Sequence, residues 1–123
     1  MNILLASELM KSGVIPESKW RLQLSNGRIL VTILKVDDYE VTYEYKQENK
    51  LVKEYLPMLE FIKALNSGNE PQIGDRNQIR WNNQEHDTEV KKIHEGDYLE
   101  ISSEGHIMLM DKITYNNSII NRY

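Results

Sequence analysis

The feature that most constrains the fold is a period-two alternation of apolar and polar residues, in short runs separated by turn formers. YEVTYEY, residues 39–45, shows it most clearly, because acidic residues and a threonine separate three tyrosines and a valine. The apolar positions are Tyr39, Val41, Tyr43 and Tyr45. Alternate side chains of a strand point to opposite faces, so we expect these four to line a core, with their hydroxyls at its edge. The alternative, an aromatic platform for a base or a peptide, would require nearby basic residues.

The same alternation recurs between turn signals along the chain. It begins at Trp20 and resumes at Ile29, after Asn26-Gly27, which predict the two central residues of a type I′ hairpin turn. Further turns are predicted at Asp37-Asp38, KQEN (46–49), Asn82-Asn83, HEGD (94–97) and SEG (103–105). Trp20 and Trp81 each open a first strand and are predicted core anchors. The final residues, NNSIINRY, match no element.

Two short helices are predicted. Asn2 can cap the first, which ends before Gly13. Its apolar residues at helical spacing are Ile3, Leu4, Leu5, Leu9 and Met10. Pro57 predicts the start of the second helix, PMLEFIKALNSG, and Gly68 its end. The apolar residues of this helix span more than one narrow face, which also suits contact with the other half or with another copy of the chain.

These elements predict a mainly β (α+β) fold of two small barrels in tandem. The turn-rich NSGNEPQIGD suggests two domains: residues 1–68, with an N-terminal helix, a barrel and the linking helix, and residues 69–123, a β-meander. Short, bent strands in this number commonly close into a barrel, which removes exposed edges. VTILKVDDYEVTYEY and EVKKIHEGDYLEISSEG repeat one order of strand, acidic turn and tyrosine-led strand, so a duplication is a further hypothesis.

LQLSNGRILVTILKVDDYEV, residues 22–41, resembles the first sequence motif of Sm-like barrels: alternating apolar residues, a glycine turn, a second strand, and an aspartate leading into a third. The preceding helix resembles that family's N-terminal helix. Thr32 stands where the family usually has a second glycine, and Thr42 where it has the asparagine that contacts RNA bases. The Arg-Gly or Lys-Gly pair of its second motif is not visible after Lys53. The resemblance therefore implies the fold and not the RNA site, and the second half similarly resembles an SH3-like or Tudor-like meander.

Charge argues against a polyanion as the main partner. The net charge is −4, and residues 69–123 carry six Lys or Arg against ten Asp or Glu. Phosphate backbones are bound mainly by clustered Lys and Arg, whereas an acidic half suits a basic protein surface. A nucleic-acid-binding barrel stays the alternative. It predicts that one basic stripe forms in space from Arg21, Arg28, Lys35, Lys46 and Lys53.

Motifs for catalysis are weak. The chain has no cysteine, no G-x-S-x-G and no glycine-rich phosphate loop, so we expect no cofactor and a non-enzyme. A metal-dependent enzyme is a second alternative, and it predicts that three histidines of the second half converge on an ion. These are His86, His94 and His106. Carboxylate pairs such as Asp37-Asp38 occur in turns, where aspartate commonly bonds the backbone.

We therefore predict a non-catalytic protein-binding module that presents its acidic second half, through Glu95, Asp97 and Glu100, to a basic surface. A homodimer is possible, nucleic acid is a less favoured partner, and no membrane contact is expected. The N-terminus lacks the basic residues of a signal peptide, and no apolar run approaches the roughly 20 residues that span a bilayer, so we expect a cytoplasmic protein. Size and composition fit a small regulator or inhibitor from a phage, a bacterium or a mobile element.

Overall fold

The computed structural model describes the backbone of residues 2–123 and the side chains of residues 6–123. The protein is mainly β, with two antiparallel sheets and three helices. It divides into two compact units, and the boundary lies between Glu70 and Pro71. The predicted cap at Asn2 and the predicted apolar positions Ile3, Leu4 and Leu5 lie outside the described side chains.

Each unit contains four consecutive short strands followed by a helix. The first unit also has a helix before its strands, and the second has a strand after its helix. The first unit contains α1 (Asn2–Lys11), β1 (Lys19–Leu24), β2 (Gly27–Val36), β3 (Glu40–Gln47), β4 (Lys50–Pro57) and α2 (Met58–Gly68). The second contains β5 (Arg76–Trp81), β6 (Gln84–His94), β7 (Tyr98–Ser103), β8 (His106–Asp111), α3 (Lys112–Ser118) and β9 (Ile119–Arg122).

The first unit is an antiparallel meander, β1-β2-β3-β4, packed around an apolar core. On β3 the alternation predicted from the sequence places Val41, Tyr43 and Tyr45 inward, and all three are buried. Tyr39 precedes the strand and is 75% exposed, so the prediction that it shares this buried face is wrong. The reason is local: Tyr39 belongs to the turn that Asp37 holds, where the pleat of the strand has not begun.

Helix α2 spans the open side of this sheet. It follows directly on the edge strand β4, and its end meets the opposite edge strand, β1, where the Asn69 Nδ2 donates to the Arg21 carbonyl at 3.2 Å. A Cβ built on Gly68 would lie 2.2 Å from that same carbonyl oxygen, so the approach requires glycine. Met58, Phe61 and Leu65 of α2 are buried in the core. The helix therefore closes the core on the side that no strand covers.

The second unit repeats the meander and adds one strand. Its order is β8-β7-β6-β5-β9, so the chain leaves the edge strand β8, passes through α3 and returns to pair with β5. The buried apolar side chains are Ile79, Val90, Leu99, Ile101, Met110 and Tyr115. The Tyr115 hydroxyl also lies 3.0 Å from the Asn77 Nδ2, which donates to it, and 2.7 Å from the Thr88 Oγ1. This buried hydrogen-bond network fixes α3 on the sheet.

The two units are built alike. In the first, Ile33 of β2 exchanges backbone hydrogen bonds with the segment before β1, and the register of β2 shifts just after it. In the second, Val90 of β6 exchanges bonds with the segment before β5, and a register shift again follows. Such a shift bends a strand. The N–H that opens α2 bonds to the Tyr39 carbonyl, and the N–H that opens α3 bonds to the equivalent carbonyl of Asp97.

Four further predictions from the sequence need correction. Within residues 2–123 neither sheet closes into a barrel, because no ladder joins β4 to β1 or β8 to β9. The hairpin of β1 and β2 turns at Ser25-Asn26, since Leu24 pairs with Gly27, so the type I′ turn at Asn26-Gly27 is wrong. The chain has a third helix, α3, whose first residues were expected to continue a strand. Trp81 is 38% exposed at the end of β5 and is no core anchor, whereas Trp20 packs partly buried on the first core.

Candidate functional site

The acidic residues predicted as a protein-binding site lie in and beside the turn between β6 and β7. Glu95 and Asp97 are exposed in this turn, where Gly96 and Asp97 both have positive φ, 82° and 64°. Glu100 is the third residue of β7. Its Oε2 is hydrogen-bonded to the Nε2 of His94, at 2.5 Å. The structure thus brings the three carboxylates to one end of the second sheet, with Glu100 engaged by a neighbour.

The start of α3 holds this turn in place. The Lys112 N–H donates to the Asp97 carbonyl at 2.8 Å, and the Lys112 Nζ lies 3.5 Å from the Asp97 Oδ1. Asp111 caps α3, because its carboxylate accepts from the Thr114 N–H at 2.8 Å. These hydrogen bonds lower the pKa of Asp111 below its ordinary value, so the cap is charged over a wide pH range. The β6–β7 turn and the start of α3 are therefore held together by the contacts between Asp97 and Lys112.

An exposed tyrosine adjoins the acidic turn. Tyr98 follows it directly and is 52% exposed, and Ile93 on β6 and Ile113 on α3 are also exposed. An exposed aromatic side chain beside charged residues is the composition of a protein-binding surface. We call three residues the β6–β7 patch: Glu95, Asp97 and Tyr98. Ile93 pairs with Leu99, so it lies on the sheet face opposite Tyr98 and is not part of the patch.

The first unit presents a similar turn at the equivalent place, between β2 and β3. Asp37 and Asp38 precede the exposed Tyr39, and the Asp37 Oδ1 accepts from the N–H groups of Tyr39 and Glu40, each at 2.9 Å. Those backbone hydrogen bonds lower the pKa of Asp37. The turn is therefore a rigid support for an exposed tyrosine beside carboxylates. A groove of about 550 Å³ adjoins Asp37 and Asp38 and is lined by apolar Met10, Ile15 and Val36 among others.

The basic residues of the predicted nucleic-acid stripe have different environments in the structure. Arg21 is buried, and Arg28 caps the end of α2, where its Nε and Nη2 donate to the carbonyls of Gly68 and Glu70 at 2.8 and 3.1 Å. Lys35 lies 3.8 Å from the Asp37 carboxylate. Lys46 and Lys53 are exposed.

Lys46 and Lys53 share the sheet face opposite the buried side chains of β3. Glu44 lies on the same face, two residues from Lys46 and directly opposite Lys53 in the register of β3 and β4. An open groove of about 630 Å³ brings together Arg28 and Lys46 of the predicted stripe. Lys19, Glu44, Thr32 and apolar residues also line it. Cations and a carboxylate alternate here, so the face is not a single-sign basic stripe.

The three histidines lie apart in the second sheet. His94 ends β6, whereas His106 begins β8 at the other end of the β7 ladder, where it pairs with Ser103. His86 pairs with Ile79 near the β5–β6 turn. Among the residues that the structure describes, no group of three histidine or carboxylate side chains is placed to hold a metal ion. The convergence that the metal-dependent alternative requires is not found.

The tyrosines of β3 form an internal cluster instead of an open platform. The rings of Tyr43 and Tyr45 stack with centroids 6.3 Å apart, and their hydroxyls lie 3.4 and 3.1 Å from the Glu54 Oε1. Burial, and then the Glu54 charge, raise the pKa of Tyr43 to about 12. The expectation of a core-lining strand with hydroxyls at its edge is confirmed for these two residues.

The acidic residues of the β6–β7 patch can be named from the sequence, whereas the exposure of Tyr98 cannot. Ile93 and Ile113 lie in segments predicted as strands, and both are exposed. The missed signal was Asp111, an aspartate three residues before Thr114 that marks a helix start. Each described helix is too short or too polar to cross a lipid bilayer.

Comparison with known proteins adds little. No protein-family model and no curated protein sequence matches this chain. Among solved structures it is similar to the crystal structure of Arabidopsis thaliana AGDP1 AGD34, with 11% sequence identity and a TM-score of 0.35. The match covers 90% of this chain and 86% of that chain. A similarity at this TM-score carries no argument about the fold or the function.

Proposed function

We propose that this chain is a non-catalytic protein-binding protein that recognises a basic partner surface through the β6–β7 patch. The observation that carries the proposal is the exposure of Tyr98 beside Glu95 and Asp97 on a corner braced by Lys112. An exposed tyrosine supplies a large apolar contact area with a polar hydroxyl, and the neighbouring carboxylates steer a cationic partner. The repeated acidic turn before Tyr39 supports the same mode of recognition.

The architecture that would serve this function is a tandem of SH3-like or Sm-like modules. In each unit a four-stranded meander is followed by a helix, and in the second unit a final strand returns to the first. That order is the one expected of an SH3-like module that is open on one side. We propose the same descent for the first unit, with α2 taking the place of the returning strand.

Nucleic-acid binding is the weaker proposal. Arg28 is engaged by the end of α2. Lys19, Arg28 and Lys46 line one groove, but Glu44 lies in the same groove and directly opposite Lys53, so an approaching phosphate backbone meets a carboxylate within the cationic group. Catalysis is not part of the proposed function. The chain would act by occupying a partner's surface, as a small regulator or inhibitor does.

Capture from a native lysate tests the proposed function. The wild-type chain, a Glu95→Lys/Asp97→Lys variant and a Glu85→Lys/Glu104→Lys variant are immobilised, and the bound proteins are identified by mass spectrometry. The control matches the test variant, because each pair removes one ion-paired carboxylate and one exposed turn carboxylate, with the same change in charge. We expect a basic protein that the control retains and the test variant loses. Equal retention by all three would refute the acidic contact.

A further inference from the structure

The edges of the two sheets are protected unequally. The end of α2 lies against β1, and β9 is only four residues long. Strand β4 carries Lys50 and Lys53, ends at Pro57 and points Glu54 toward the buried tyrosines. Lysine, proline, inward-pointing charge and short length are the features by which natural sheets prevent strands from adding to their edges.

Strand β8 has none of these features. Between His106 and Asp111 it reads Ile-Met-Leu-Met, four uncharged residues without a register shift in their pairing with β7. In the part of the chain that the structure describes, β7 is the only strand that pairs with β8. Backbone N–H and C=O groups on its other side are therefore available to a further strand.

The side chains of β8 are arranged for such an addition. Ile107 is 58% and Leu109 68% exposed, on the face opposite the buried Met110. Their neighbours on β7 are Ser102 and Glu100, which leave the two aliphatic side chains uncovered. A strand that added to β8 would extend the sheet and bury this apolar pair at the same time.

We propose that β8 pairs antiparallel with the β8 of a second copy of this chain. In an antiparallel pair related by a two-fold axis, residues that point to the same face must lie opposite each other. Centring the pair on Met108 places Ile107 opposite the second copy's Leu109, and Leu109 opposite its Ile107. Moving the centre to Leu109 would place Ile107 opposite Asp111, and moving it to Ile107 would place Leu109 opposite Gly105. Of these three registers, only the one centred on Met108 pairs both aliphatic side chains with each other.

A second copy fits this edge because the strand is its own complement. The register centred on Met108 opposes only apolar or neutral side chains along its centre, so no like charges face each other across the new ladder. The contact is isologous and closes on itself, which gives a dimer and no fibre. The proposed pairing uses the outer backbone edge of β8, whereas the proposed function uses the turn before β7. Leu109 and Tyr98 lie on the same sheet face, because Leu109 pairs with Glu100 and Tyr98 with Asp111, so separate variants and readouts distinguish the two contacts.

Sedimentation equilibrium of the full chain over a range of concentrations tests the pairing. The variants are Leu109→Lys on β8 and, as its matched control, Leu51→Lys on the edge strand β4, which is also an exposed leucine. Neither side chain is in a core, so both variants should fold. We expect a reversible dimer for the wild type and the control, and a dimer dissociation constant at least about tenfold higher for Leu109→Lys. In hydrogen exchange, those amides of residues 107–110 that point away from β7 should become more protected as concentration rises.

A chain that stays monomeric at every concentration would overturn the proposal, even if it binds an unrelated extended peptide. A dimer that both lysine variants weaken equally, or neither weakens, would also overturn it, since the contact would then lie elsewhere. Protection of the outward-pointing β8 amides that does not change with concentration would show that the chain itself covers this edge, and would overturn the proposal.

Discussion

Asp37 and Arg28 show how side chains that could do chemistry are used to hold the backbone. The Asp37 carboxylate bonds two N–H groups of its own turn, and the Arg28 guanidinium bonds two carbonyls at the end of α2. The sequence predicts the role of Asp37, because an aspartate in a turn commonly bonds the residues after it. It could not predict the role of Arg28, whose partners lie about forty residues further along the chain.

Gly68 is the residue where one added methyl group should do the most harm. We expect Gly68→Ala to lower the free energy of unfolding of the first unit by roughly 1–3 kcal/mol, because the Cβ would collide with the backbone of β1. Urea denaturation measures this change, with Trp20 as the reporter in a Trp81→Phe background. Ser67→Ala, an exposed position one residue earlier in α2, should leave stability nearly unchanged. Equal stability of the two variants would mean that α2 does not meet β1 as described.

Tyr43 should make the first unit sensitive to alkali. Its pKa is raised to about 12, so below about pH 10 the folded and unfolded states are both protonated and the stabilising contribution is fully present. As pH rises from about 10 to 12 the unfolded chain loses this proton first, and roughly 1–2 kcal/mol of stability is lost, because the hydroxyl lies at the edge of the core and its charge is partly screened by solvent.

Denaturation with urea at neutral and alkaline pH measures the loss. Tyr43→Phe should retain more of its neutral-pH stability in alkali than the wild type does, and Tyr55→Phe, an exposed tyrosine on β4, should behave as the wild type. If both variants lose the same stability as the wild type in alkali, the Tyr43 hydroxyl is not buried beside Glu54.

At the scale of whole elements, the sequence predicts what depends on neighbours in sequence. The period-two runs predict the approximate positions of strands β1 to β8. The turns at Glu48-Asn49, Asn82-Asn83 and Glu104-Gly105 each have two successive positive φ angles, as type I′ hairpin turns require. Helix α3 was missed because Ile113 and Tyr115 alternate as strand residues do. Strand β9 was missed because only its pairing with β5 identifies it.

Helix α2 should contribute stability through one face only. We expect Phe61→Ala to cost about 3–5 kcal/mol, since the ring is fully buried where α2 covers the sheet. Leu59→Ala, on the exposed side of the same helix, should change stability by less than about 0.5 kcal/mol. Thermal or urea unfolding of the first unit distinguishes them. Comparable losses would mean that Leu59 is covered, by another surface or another copy of the chain.

At the scale of the whole molecule, the likeness of the two units was detectable in sequence only as a shared order of strand, acidic turn and tyrosine. The structure adds the matching bonds of Ile33 and Val90 and the matching helix starts. Closure could not be predicted, because it depends on which distant edge the chain meets after its fourth strand. The same limit applies to the site: Glu95 and Asp97 could be named from charge, but the contacts by which Lys112 holds their turn depend on the fold.

The proposed action of the chain depends most on the β6–β7 patch being a rigid binding surface. Isothermal titration of the captured partner against wild type, Tyr98→Ala and Trp81→Ala tests that claim. Both substitutions remove a partly exposed aromatic side chain of the second unit, and only Tyr98 belongs to the patch. We predict that Tyr98→Ala weakens binding about tenfold or more and that Trp81→Ala leaves it unchanged. Unchanged affinity for Tyr98→Ala, or an equal loss for Trp81→Ala, would contradict this role of the patch.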